Sequence, residues 1–163
     1  MTVKVLFVCL GNICRSPAAE GFFRAVLRDN GLDRAVEVDS RGTAAHHIGE
    51  PPDPRSQSAA LARGVDISNL RAGSVQERDF DRFDYILAMD RQNLRDLQAM
   101  APSDARATPR LFLDYAPNQP DREVPDPYYG GASGFEHVLD LIERASPGLL
   151  ADIRKRFGDR LFQ

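Results

Sequence analysis

Two stretches of this chain are apolar at nearly every position: Val3–Val8, broken only by Lys4, and Tyr85–Met89. A strand with one wet face alternates polar and apolar residues. A run that is apolar throughout belongs to a strand covered on both sides, as the strands of a parallel sheet are. Between the runs the period changes. Ala19, Phe22, Phe23 and Val26 recur at i, i+3, i+4 and i+7, the stripe of a helix that Pro17 opens at its first position and Gly31 stops. Val36–Ser40 alternates as a second strand, and a loop rich in Gly, His and Pro follows. Asp53-Pro54 reads as an N-cap with Pro at the first position of a helix ending near Gly64. Asp90 caps a helix bearing Leu94, Leu97 and Met100, which Pro102 stops, and Arg110–Leu113 is the fourth strand candidate. After a proline-rich loop, Ala116–Gly131, Ser133-Gly-Phe-Glu136 spells a capping box. Phe135, Val138, Leu139 and Ile142 form the next stripe, and Ser146-Pro147 restarts that helix with Leu150, Ile153 and Phe157 on one face. Strands alternating with helices predict an α/β fold in three layers: a four-stranded parallel sheet with helices on both faces, one domain spanning 1–163.

Sites in such sheets lie at the carboxyl ends of the strands. There the first strand runs into Cys9-Leu-Gly-Asn-Ile-Cys-Arg-Ser16, which delivers a thiol, a flexible loop and an arginine to one helix N-terminus. Unpaired N–H groups and the positive end of the dipole make such a terminus an anion site. Leu10, Gly11, Asn12, Ile13 and Cys14 can wrap their amides around a phosphate-sized oxyanion. Cys9 would lie in that positive field, which favours the nucleophilic thiolate. Arg15 can hold two equatorial oxygens with its planar fork, and Ser16 can cap the helix or hydrogen-bond the sulfur. The chemistry this arrangement suits is phosphoryl transfer to cysteine.

Such a transfer expels an alkoxide or phenoxide, so an acid is needed opposite the nucleophile. Asp126, in Val124-Pro-Asp-Pro-Tyr-Tyr129, supplies one on a segment stiffened by prolines, and Tyr128 and Tyr129 can pack against an aromatic substrate. The same carboxylate can then take a proton from the water that hydrolyses cysteinyl phosphate. No metal or other cofactor is called for, since His46 and His47 lack third and fourth ligands at suitable spacing.

Bulk properties narrow the partners. A net charge of −3 gives no general footprint for nucleic acid or an anionic membrane, so the anion site is local. No stretch approaches the ~20 apolar residues of a membrane span. Met1–Lys4 runs straight into a strand pattern, so no signal peptide is expected, and two cysteines make no disulfide framework. The expected location is the cytoplasm. Cys14, five residues from Cys9, could close a reversible disulfide that shields the nucleophile.

These residues carry a resemblance. The chain resembles the bacterial low-molecular-weight protein tyrosine phosphatases nearly end to end, through Cys9-X5-Arg15-Ser16-Pro17, Asp39-Ser40, Gly49-Glu-Pro-Pro-Asp-Pro-Arg55, Asp84-Tyr-Ile-Leu-Ala-Met-Asp90 and Asp126-Pro-Tyr-Tyr129. The resemblance implies Cys9 as nucleophile, Arg15 as phosphate ligand and Asp126 as general acid then base. It implies that Asn12, Ser16 and Ser40 hold the loop in shape, with Tyr128 and Tyr129 lining the substrate cleft opposite a wall near His46. The implied partner is a phosphotyrosine-containing protein, a bacterial tyrosine kinase among the candidates, with phosphate as product and inhibitor. Two positions depart from the pattern: His46 stands where many relatives carry an aromatic, and Leu70 where relatives often carry a histidine that braces the loop asparagine. Protein-arginine phosphatases resemble the chain too, but carry a threonine at the position of Ile13. Thiol-coupled arsenate reductases use downstream cysteines, and none follows Cys14 here. Beside these enzymes stands a silent phosphoprotein-binding module, which would need neither nucleophile nor acid.

Overall fold

The two apolar runs become neighbouring central strands. The computed structural model describes residues 2–159 and 161; Met1, the start of the expected leaderless segment, lies outside them. β1 (Val3–Cys9) and β3 (Tyr85–Ala88) pair in parallel from Val5 opposite Tyr85 to Val8 opposite Ala88. β2 (Val36–Gly42) lies on the other side of β1, with Val3 opposite Val36 and Cys9 opposite Gly42. β4 (Arg110–Leu111) completes the parallel order β2-β1-β3-β4. Val3, Val5 and Phe7 point into one core with α1 (Arg15–Asp29), α2 (Pro54–Ala62) and α5 (Ala132–Phe157). Leu6 and Val8 point into the other, with α3 (Asp79–Arg82) and α4 (Arg91–Met100). Phe7 is fully buried, its ring edge-on to Phe23 and Phe112 at 5.9 and 4.9 Å. No helix among the described residues is long and apolar enough to cross a membrane.

Two expected caps are built as read. Asp53 accepts from the Arg55 amide at 2.8 Å with Pro54 at N1, and Asp90 and Asn93 cap α4 reciprocally. Other boundaries differ. α1 starts at Arg15, so Pro17 sits in its third position, where an N–H has no intrahelical partner and none is missed. Ser133 lies inside α5, capped by Gly131, so its capping box is unused. Strand four stops after Leu111 because Phe112–Tyr115 turn into a 3₁₀ helix that drives Phe112 and Leu113 into the core. Pro147 restarts nothing: α5 runs through it. A proline inside a helix costs about 3 kcal/mol, but Leu141, Ile142 and Ala145 before it and Leu149, Leu150 and Ile153 after it are all buried on one surface. Breaking the helix would expose one half of that stripe. The surface is seated tightly, since a Cβ at Gly148 would stand 1.9 Å from the Tyr115 carbonyl oxygen.

Candidate active site

At the carboxyl end of β1 the chain turns through residues 10–14 and enters α1 with Cys14 as N-cap. Asn12 adopts φ 59°, the left-handed region that Asn tolerates and that lets so short a loop close. The loop's carbonyls are held outward. Those of Cys9 and Leu10 accept from Thr43 and Ala44 amides at 2.9 Å, that of Ile13 from the Asp53 amide at 2.8 Å, and that of Cys14 from Ser56 Oγ at 3.1 Å. In a trans peptide the N–H points opposite to the C=O. The amides of Leu10, Gly11, Cys14 and Arg15 are therefore turned to the inside of the loop. Gly42 makes this closeness possible, because a Cβ there would lie 2.6 Å from the Leu10 oxygen.

The Cys9 sulfur is held by two donors. The Asn12 amide approaches it at 3.3 Å and Ser16 Oγ at 3.0 Å. The direction of the second bond follows from the rest of the chain of contacts. Asn12 Oδ1 accepts from the Gly73 amide at 2.9 Å, which fixes the Asn12 side chain so that Nδ2 donates to Ser16 Oγ at 2.8 Å and to Ser40 Oγ at 3.0 Å. Ser16 accepts from Asn12, so its own proton is free for the sulfur. Ser40 Oγ donates a hydrogen bond to Glu20 Oε1 at 2.7 Å, and Glu20 pairs with Arg24 at 2.6 Å. Burial pushes the Glu20 carboxyl up to about 7, against the pull of Arg24 and the Ser40 hydroxyl. Leu70 packs, half-buried, on the hydrophobic core, and the brace on Asn12 comes instead from the Gly73 backbone.

Arg15 is almost wholly buried. Burial works against its charge, but Cys9, Asp90 and Asp126 outweigh burial and hold the guanidinium above its ordinary value. Nη1 is taken by Asp90 at 2.6 Å and the Val124 carbonyl at 3.0 Å, while Nη2 faces Asp126 at 3.7 Å. The loop after the 3₁₀ helix is brought here by the Val124 amide, which donates to the Met89 carbonyl at the end of β3 at 2.7 Å. Asp126 is half-exposed and caps its own turn by accepting from the Tyr128 amide at 3.0 Å. Tyr128 and Tyr129 stand edge to face with centroids 5.0 Å apart, Tyr129 projecting into solvent.

Cys9, Leu10, Gly11, Ile13, Cys14, Arg15, His46, Asp126, Tyr128 and Tyr129 thus meet around one cavity of about 270 Å³. Asn12, Ser16 and Ser40 lie buried beneath it. A larger cleft, about 520 Å³, lined by Arg24, Asp33, Glu37 and Arg82, carries charges of both signs and no nucleophile. Both cysteines are free thiols; burial first, then Asp53 and Cys9, push Cys14 up to about 12. The cavity also holds His47, hydrogen-bonded through Nδ1 to Glu50, a residue absent from the expected cleft. Asp90 is more than the helix cap expected of it, since one carboxylate oxygen caps α4 and the other holds Arg15. Its place just past the end of β3, at the sheet edge where Cys9 lies, was the available signal. Glu20 had one too, a carboxylate one turn after Ser16 between the apolar Ala19 and Phe22. Gly73 acts through its backbone and had none.

A model of the low molecular weight phosphotyrosine protein phosphatases matches residues 4–158. A low molecular weight protein-tyrosine-phosphatase of Streptomyces coelicolor is 45% identical over 163 residues, covering 98% of this chain and 99% of its own. The crystal structure of YfkJ from Bacillus subtilis superposes with a TM-score of 0.90 at 41% identity, over 96% of this chain and 97% of its own. That of a Drosophila arginine phosphatase superposes with a TM-score of 0.88 at 31% identity, over 93% and 98%. Match, coverage and a shared parallel sheet agree: this chain belongs to the low molecular weight phosphotyrosine protein phosphatase family.

Proposed function

We propose that this enzyme hydrolyses phosphotyrosine monoesters in proteins in two steps, with Cys9 as nucleophile, Arg15 as phosphate ligand and Asp126 as general acid and then base. The observation that carries the reading is the Cys9 sulfur at the floor of a ring of inward amides, with Asp126 on the wall beyond Arg15. Cys9 Sγ attacks phosphorus, the bond to the tyrosyl oxygen breaks, and the Asp126 proton passes to the departing phenolate. Water then attacks the cysteinyl phosphate, Asp126 takes its proton, the P–S bond breaks, and phosphate leaves. Because Asp90 and Val124 occupy Nη1, the Arg15 fork is fixed before any phosphate arrives, which favours a trigonal-bipyramidal group over a loosely held ground state. Ser16 and the Asn12 amide donate to the sulfur both as attacking thiolate and as departing one. Product phosphate fits the same ring and inhibits by occupying it.

Tyr128, Tyr129 and the imidazoles of His46 and His47, all lining the cavity, suit an aryl ester. Ile13 offers no hydroxyl to a guanidinium. The substrates we propose are phosphotyrosine proteins, a tyrosine kinase's own phosphotyrosines included. We place the activity in the cytoplasm, where two free thiols stay reduced. The test is metal-free turnover of phosphotyrosine, phosphoarginine and phosphoserine peptides beside the Cys9→Ser variant. Phosphotyrosine should be preferred and its hydrolysis lost in the variant. Preference for phosphoarginine would overturn the substrate, and survival of activity in Cys9→Ser would overturn the mechanism.

A further inference from the structure

The first turn of α2 reaches both halves of the site. On one side the Asp53 amide and Ser56 Oγ hold the Ile13 and Cys14 carbonyls of the phosphate loop, at 2.8 and 3.1 Å. On the other side Arg55 extends to the loop that carries Asp126. Its Nη2 donates to the Tyr128 carbonyl at 3.1 Å, and its guanidinium lies over the Tyr128 ring at 5.4 Å and the Phe135 ring at 4.8 Å. The arginine is itself aimed. Buried Asp53 accepts from Nε at 3.1 Å and from Nη2 at 2.9 Å, a two-point grip that sets the plane of the fork.

The Asp126 loop has no regular structure of its own. Before Asp126 it is fastened by Val124, through Met89 and Arg15. After Asp126 its internal bonds, Tyr128 amide to Asp126 and Gly130 amide to the Pro127 carbonyl, fold the turn without attaching it to anything. Between Asp126 and the start of α5, the hydrogen bond that ties this turn to another element, among the described residues, is the one from Arg55. Since Tyr128 is joined to Asp126 by its amide, moving the Tyr128 carbonyl moves the acid.

We propose that Arg55 is a positioning residue for the general acid: by joining Asp53 beneath the phosphate loop to Tyr128 beyond Asp126, it sets the separation between the Cys9 sulfur and the Asp126 carboxyl. The inference rests on the acid role proposed above, and it predicts a defect confined to leaving groups that need a proton. Arg55 touches neither the sulfur nor the phosphate loop's inner amides, so attack on phosphorus itself is spared.

The experiment measures kcat/KM across aryl phosphates of graded leaving-group pKa for the intact protein, Arg55→Met, Arg55→Lys, Asp126→Asn and the double variant Arg55→Met/Asp126→Asn. A displacement of about 1 Å at a reacting group can cost up to about 10²-fold. Arg55→Met should therefore lose about 10- to 10²-fold on phenyl phosphate and under about threefold on 2,4-dinitrophenyl phosphate. Arg55→Lys keeps a donor for Tyr128 but loses the two-point grip, and should fall between. The inhibition constant of inorganic phosphate should stay unchanged in both variants. In the Asp126→Asn background Arg55→Met should add under about threefold, because the group it positions is gone. An equal loss for every leaving group, or the full loss repeated in the double variant, would overturn the positioning role. If Asp126→Asn itself shows no leaving-group dependence, the acid assignment fails first, and that outcome is distinct.

Discussion

Glu20 couples the support of the phosphate loop to pH, and the size of the effect can be worked out. Its side chain is buried, bonded to Ser40 and Arg24, and its carboxyl is pushed from an ordinary 4.5 up to about 7, first by burial. Asp39 adds to the rise, while Arg24, the Ser40 hydroxyl and Arg41 oppose it. The sign follows from linkage. Below about pH 4.5 folded and unfolded chains both keep the proton and the fold has its full contribution. As pH rises toward 7 the unfolded chain gives up its proton first, so stability is lost across that window. At about 1.4 kcal/mol per pKa unit, the loss is about 3 kcal/mol. For a chain of this length that is roughly 6–12 °C in Tm. Glu20→Gln keeps an acceptor for Ser40 but cannot titrate. Urea unfolding of both proteins from about pH 4.5 to about pH 8 isolates the effect, because every other titrating group is shared. The stability gap should shift by about 3 kcal/mol in favour of Gln on going to the higher pH. Parallel curves would refute the reasoning.

Other outcomes follow from single contacts. Arg15→Lys should lose nearly as much turnover as removing the arginine, because an ammonium cannot be held by Asp90 and Val124 at one nitrogen while spanning two phosphate oxygens with others; steady-state kinetics checks this. Gly148→Ala, which elsewhere in a helix adds about 1 kcal/mol, should instead destabilise by about 1–3 kcal/mol, since its Cβ meets the Tyr115 carbonyl. Thermal unfolding reads the sign directly. Brief alkylation near neutral pH, mapped by peptide mass spectrometry, should spare Cys14, whose thiol at about 12 is almost wholly protonated there.

Much of the fold is legible because its signals are local. Val3–Val8 and Tyr85–Met89 say both that they are strands and that both faces are covered. Asp53-Pro54 and Asp90 name their helix starts. The differences arise where tertiary packing overrides a local signal. Pro147 breaks a helix in isolation but not one whose stripe is buried on either side of it. Ser133 spells a cap, yet Gly131 takes the position. The site divides the same way. Cys9, Arg15 and Ser16 sit within eight residues on a strand–loop–helix, so spacing alone assembles them. Asp126 needed the fold to bring it over, through one backbone bond to Met89. The supports are the least visible: Gly73 contributes only an N–H, Glu20 resembles a misplaced surface carboxylate, and Asp90 looks fully employed as a cap.

The most direct test is to look for phosphate on Cys9. With 2,4-dinitrophenyl phosphate, Asp126→Asn should still complete the first step, which needs no acid, and stall at the second for want of a base. Acid quench followed by peptide mapping should then find phosphocysteine at Cys9, absent when Cys9 is also replaced by serine. Turnover that proceeds with no phosphate on Cys9, and persists in Cys9→Ser, would contradict the two-step reading outright.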